Sequence, residues 1–190
     1  MSDEWTVGAA AQRIVELGLV DRSVVTEKLN ADILDETLDY FGDDHQGVLG
    51  LLDELGLRYT TEYKMFKGLS VAGDDRLSRY RYELELIASC TQGLIAITEI
   101  QLVDGADGGQ ELSFRCNGHP QSWPVYPGPD EDLEAQLTFA EYVDTLVPDD
   151  SPARWCVPDP SDPDVGSEFV FGDPAALNQL GGAFDLTFEP

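Results

Sequence analysis

Arg79-Tyr80-Arg81-Tyr82-Glu83-Leu84-Glu85-Leu86-Ile87-Ala88 alternates charged and apolar side chains almost without a break. A strand turns successive side chains to opposite faces. The spacing therefore predicts a β-strand with Tyr80, Tyr82, Leu84, Leu86 and Ala88 on one face and Arg79, Arg81, Glu83 and Glu85 on the other. The segments on either side extend this into a sheet. Gln92-Gly93 offers a turn into a second strand over 94–103, and residues 104–109 are rich in the Gly and Asp of loops. Residues 111–116 read as the next strand. Asn117-Gly118 is the dipeptide that a two-residue hairpin turn requires. Residues 119–125 return, with Pro120 and Pro124 confining that strand to a sheet edge. Upstream, Tyr59, Thr61, Tyr63 and Met65 alternate across 57–67. Residues 57–126 are thus expected to form an antiparallel meander of four to five strands.

The flanks differ in period. Residues 1–56 read as helical. Val7, Ala11, Ile14 and Val15 share a helical face, and Gly18 can end that segment. A shorter helix is expected over 23–29. Asp32 is placed to cap a helix over 33–41, with Leu34, Leu38 and Phe41 on one side. Asp43 or Asp44 would cap the next, whose apolar stripe is Val48, Leu51, Leu52 and Leu55, with Gly56 closing it. Residues 127–190 mix types. An acidic loop through Asp130, Glu131 and Asp132 precedes a helix that ends before Pro148. It begins either at Asp132 or at the capping-box pattern Thr138-Phe139-Ala140-Glu141. Residues 148–167 read as a long irregular connection and 168–171 as a strand. Asp173-Pro174 opens a short helix to Leu180, and 184–188 is a last strand. The expected fold is a single α+β domain over 1–190: N-terminal helices, an antiparallel sheet, then a helix and a C-terminal β-α-β segment.

Charge bounds the function. The 190 residues hold 37 Asp and Glu against 11 Lys and Arg, a formal net charge of −26. Such a field repels nucleic acid and anionic membrane and attracts basic partners. The nearest thing to a basic patch is Arg76, Arg79 and Arg81, which opposed acids can neutralise. Hydrophobic residues are 42% of the chain, enough for a core without disulfide or metal staples. The acidic N-terminus lacks the basic and apolar regions of a signal peptide, and the apolar run 93–97 is too short to cross a bilayer. Cys90, Cys116 and Cys156 are odd in number and widely spaced, unlike a disulfide framework. The expectation is a soluble cytoplasmic protein.

No constellation of known chemistry stands out. His45 falls near a helix start and His119 follows the hairpin turn. Cys116 and His119 have a C-x2-H spacing, but zinc needs three or four ligands and no second pair accompanies them. There is no G-x-S-x-G elbow and no phosphate-cradling G-x-x-x-x-G-K-[ST]. Asp159, Asp162 and Asp164, and separately Asp104 and Asp107, make oxygen-rich loops without the twelve-residue calcium spacing. Neither cofactor nor metal is expected. What remains is a charged sheet face of Arg81, Glu83, Glu85, Glu99, Gln101 and Arg115, flanked by acidic loops. Asp74, Asp75, Glu83, Glu85, Glu99, Asp130, Glu131, Asp132 and Trp123 are the candidate partner-binding residues, with Trp123 as the aromatic anchor.

In composition over the whole chain, and in the Phe114-Arg115-Cys116-Asn117-Gly118-x4-Trp123 hairpin, the sequence resembles acidic cytoplasmic immunity proteins of bacterial toxin systems. The resemblance assigns no individual residue. It implies a non-catalytic protein that neutralises a basic toxin or effector by covering its active surface. Two other expectations stand beside it: a hydrolase that uses carboxylates, and a general acidic protein of a high-salt organism.

Overall fold

Thr6 stands where the first helix begins, and its hydroxyl accepts from Ala9 N–H at 3.1 Å. The computed structural model describes residues 5–60, 73–105, 109–125, 139–161 and 167–190, with the backbone alone for 73–76. These fall into two compact units. One is built from residues 5–59, 152–161 and 168–190. The other is built from residues 73–105, 109–125 and 139–151 together with Thr60 and Ser167.

In the first unit, α1 (Val7–Glu16), α2 (Arg22–Lys28), α3 (Ala31–Leu34) and α4 (His45–Glu54) precede the short strand β1 (Arg58–Thr60). Val7, Ala10, Ala11 and Ile14 are buried from α1, and Val48, Leu49, Leu51 and Leu52 from α4. These are the helical stripes that the sequence shows, because spacings of three and four residues return to one face. The helix expected over 33–41 is not formed as such. Asn30, not Asp32, caps α3, its side chain accepting from Ile33 N–H at 3.0 Å, and Leu38–Tyr40 makes a separate 3-10 turn. Gly47 and Gly50 of α4 let the preceding turn approach closely. A Cβ on either would meet a backbone oxygen at 2.7 Å.

The strands β5 (Arg154–Asp159), β6 (Glu168–Gly172) and β7 (Thr187–Glu189) complete this unit's sheet, in the order β1-β6-β5-β7. β5 runs antiparallel to both neighbours, pairing Trp155 with Phe171 and Pro158 with Phe188. The expected irregular connection over 148–167 thus contains an inner strand. Pro158 disguises it, yet costs nothing there, because beyond Cys156 the described pairing of β5 is with β7 alone. Helix α6 (Pro174–Gly181) lies between β6 and β7, with Asp173 accepting from Ala175 and Ala176 N–H as its cap. Asn178 on α6 uses its amide as a strand would. It accepts from Phe188 N–H at 2.9 Å and donates to Phe188 C=O at 2.8 Å. The last strand starts at Thr187 rather than at 184. Cys156, Val170, Leu177, Leu180, Leu186 and Phe188 join the helical side chains in one aliphatic core.

The second unit corrects the opening expectation. Residues 79–88 belong to helix α5 (Gly73–Ser89) and not to a strand. Tyr80, Glu83, Leu84 and Ile87 are buried, at spacings of three, four and seven residues, while Tyr82 is 49% exposed. Positions 80, 84 and 88 satisfy both a period of two and, approximately, a helical one. Glu83 and Ile87 separate the two, since a strand would turn them away from the core. Seventeen residues with three Leu, three Arg and two Glu favour the helix, as does length alone. The sheet therefore has three described strands, not four or five: β2 (Ile97–Asp104), β3 (Gln110–Cys116) and β4 (His119–Val125), antiparallel and in that order.

Asn117 and Gly118 form the two-residue turn, both with positive φ, 51° and 81°. Asn117 also holds the entry to β2, accepting from Ala96 N–H at 2.8 Å and donating to Leu94 C=O at 3.1 Å. Counting outward from that turn, Arg115↔Pro120 and Glu111↔Pro124 fall at positions where β4's amide faces away from β3. The prolines therefore suit an edge strand, as expected. The core of this unit is aromatic. Trp123 meets Phe114 edge-on at 5.0 Å, Phe139 at 5.7 Å and Tyr142 at 5.8 Å. Residues 139–142 are helical, and the chain continues as a 3-10 turn over Val143–Leu146, ending before Pro148.

Candidate functional site

The first unit carries an open cleft of about 670 Å³, within the range that small ligands and side-chain anchors occupy. Its wall comes from five places in the chain, one of them Pro160 just after β5. Trp5 stands just before α1. Thr37, Leu38 and Asp39 belong to the 3-10 turn, Asp44 and His45 to the start of α4, and Phe184 and Asp185 to the turn after α6. Trp5 and Phe184 pack ring against ring at 5.1 Å, both half-buried against the aliphatic core. They form the apolar part of the lining.

The opposite character comes from Asp39, Asp44 and Asp185. All three are exposed, and the lining holds no Lys or Arg. Asp39 accepts from the Thr37 hydroxyl. Asp44 occupies the N-cap position of α4 but makes no capping hydrogen bond, so its carboxylate is not spent on the helix end. Two of these aspartates hold unusual backbone: φ is 50° at Asp44 and 53° at Asp185. Asp44 has ψ −127°, a region that L-residues rarely occupy. Such positions cost on the order of 1–3 kcal/mol and persist only where the surroundings enforce them. His45 sits beside them, its Nε2 at 3.1 Å from Gln46 Nε2. Asp39, Asp44, Asp185 and His45 share the wall without converging. Among the described residues no group of three or more His, Cys, Asp or Glu could hold a metal ion.

The sequence candidates whose side chains are described, Glu83, Glu85, Glu99 and Trp123, belong to the second unit and not to this cleft. Trp123 is 2% exposed, in the aromatic core of the second unit. Glu83 is also 2% exposed, on α5, with Arg79 Nε at 3.8 Å. Glu85 is exposed on the same helix. Asp74 and Asp75 lie in the first turn of α5, where only the backbone is described, and Asp130, Glu131 and Asp132 lie outside the described residues. Glu99 is an exposed bulge residue of β2. The register slips by one between Thr98 and Gln101, and φ at Glu99 is 56°. The bulge aims its carboxylate at Arg115 Nε, 2.9 Å away, while Arg115 also donates to Gly118 C=O at 2.7 Å. The expected charged sheet face loses Arg81, Glu83 and Glu85 to the helix, while Glu99, Arg115 and the exposed Gln101 remain on the sheet.

The three cysteines are free and buried. Burial pushes the Cys116 thiol up, and its Sγ–H points at Leu146 C=O at 3.6 Å. A thiol held neutral is a poor nucleophile. His119, three residues on, is exposed at the hairpin.

The cleft residues escaped the sequence. Asp44 was legible only as a helix cap, and Trp5 and Phe184 are isolated aromatics at remote positions. One signal was available: an N-cap aspartate directly followed by a histidine, in a chain with only two histidines. No known protein family, characterised protein or solved structure matches this chain. Among the described residues no helix is long and apolar enough to cross a membrane.

Proposed function

We propose that this chain is a non-catalytic binding protein that captures a basic protein, in the manner of an immunity protein covering its toxin. The observation that carries the reading is the cleft: a wall with three carboxylates and no cation, in a protein of net charge −26. Opposite fields speed encounter, and partly desolvated contacts then hold the complex. At this cleft a hydrolase reading is weaker, because a general acid is tuned by an apolar environment and Asp39, Asp44 and Asp185 are all exposed. Exposed acids occur on the helices of the first unit and on α5 and β2 of the second, which supports a second reading as an acidic protein adapted to high salt.

The test is capture from native lysate at low and high salt with identification by mass, followed by association kinetics on the purified partner. The expected partner is basic. Its on-rate should fall about tenfold or more between 20 and 300 mM salt, while dissociation changes little. An on-rate indifferent to salt would remove the electrostatic capture. The second reading would gain if no partner appears and the melting temperature climbs steadily into molar KCl.

A further inference from the structure

The shape of the cleft narrows the cation. We infer that it is a receptor for one guanidinium group, the arginine side chain of a basic partner, seated between the Trp5–Phe184 ring pair and the carboxylates of Asp39, Asp44 and Asp185. This rests on the binding reading above and gives it a contact point.

Three features lead there. The acidic side chains share one wall yet do not converge on a point, and no group of them could hold a metal ion, so the complement is an extended cation rather than a bare one. A guanidinium is planar, offers five N–H donors in a fork, and can bridge separated carboxylates, whereas an ammonium is a compact point charge. The two rings, 5.1 Å apart and tilted by 51°, are already partly held by the core, so a planar cation stacking on one of them orders little that was free. The amino end of α4 opposes a cation with roughly half a positive charge, but three full negative charges outweigh it. His45 in the same wall adds a further flat ring.

The experiment uses the full chain and three small probes: N-acetylarginine amide, N-acetyllysine amide and the neutral isostere N-acetylcitrulline amide. Trp5 is the reporter, since Trp123 and Trp155 are buried. Its indole N–H is followed by NMR. The arginine probe is expected to shift the Trp5 signal saturably in the millimolar range, with the lysine probe several-fold weaker and the citrulline probe without effect. The triple variant Asp39→Asn, Asp44→Asn, Asp185→Asn keeps shape and local hydrogen bonding, and Asn accepts positive φ as readily as Asp. It should bind the arginine probe about tenfold or more weakly at an unchanged melting temperature. Equal shifts from citrulline or lysine, no saturable shift, or full binding by the triple variant would overturn the inference. The broader reading fails separately. If the triple variant captures the basic partner with the wild-type on-rate, only the guanidinium seat is lost. If the arginine probe binds but no basic protein is captured, the seat stands and the partner is wrong.

Discussion

Trp5, at the cleft of the first unit, and Trp123, at the centre of the second, show two uses of the same ring. The first unit closes on an aliphatic core and on a ring cluster of its sheet, where buried Trp155 meets Phe171 at 5.0 Å and Tyr59 at 6.2 Å. It leaves Trp5 and Phe184 half-buried at a cleft. The second unit puts its largest aromatics at the centre, where Trp123 touches Phe114, Phe139 and Tyr142. Trp123 and Trp155 thus serve packing, one in each unit, whereas Trp5 stays half-buried at the edge of a cleft. A buried ring removes about 150–250 Å² from water, so each of these two buried tryptophans fills a large share of the space around it.

Substitutions put that contrast to the test. The largest effect is expected for Trp123→Ala, which should cost about 3–5 kcal/mol, against about 1–2 kcal/mol for Trp5→Ala, because only the first empties a closed core. Denaturant unfolding of both variants measures it, and equal losses would erase the distinction between the two tryptophans. A smaller loss is expected for Asn117→Ala, about 1–3 kcal/mol, from the two hydrogen bonds that tie the turn to residues 94–96 and from the positive φ. Asn117→Gly keeps the turn and loses only the bonds, so it should fall between wild type and alanine. The smallest belongs to Glu99→Gln. An exposed pair with Arg115 contributes less than about 1 kcal/mol, and thermal melts at low and high salt should show any difference vanish as salt rises.

The periodic parts of the fold could be read directly. α1 and α4 carry clean helical stripes, Asn117-Gly118 dictated its hairpin, and Asp173-Pro174 announced α6, because each is a local rule enforced by its own residues. The segment 79–88 could not be settled this way. Two periods coincide over Tyr80, Leu84 and Ala88, and what chooses between them is burial of Glu83 and Ile87, a tertiary fact. β5 was hidden for a related reason: its proline is tolerated only because of which strand lies beside it. The cleft was illegible because it is an assembly of turn residues. Turn residues carry no periodicity, and Trp5 and Phe184 meet only once the core beneath them has formed.

The first unit draws its sheet from both flanks of a long excursion. β1 leaves at Thr60, and the ion pair that ties it to β6, Arg58 Nε to Glu168 Oε1 at 2.6 Å, spans 110 residues. On a ribosome, the helices α1 to α4 emerge long before the strands that must cover them. The described elements of the second unit, by contrast, run in sequence from 73 to 146 and can close as soon as they appear. The earliest-made apolar stripes are thus the last to be sheltered. During that interval the surplus of carboxylates keeps nascent chains apart, so the charge that would draw a partner to the finished protein also guards the unfinished one.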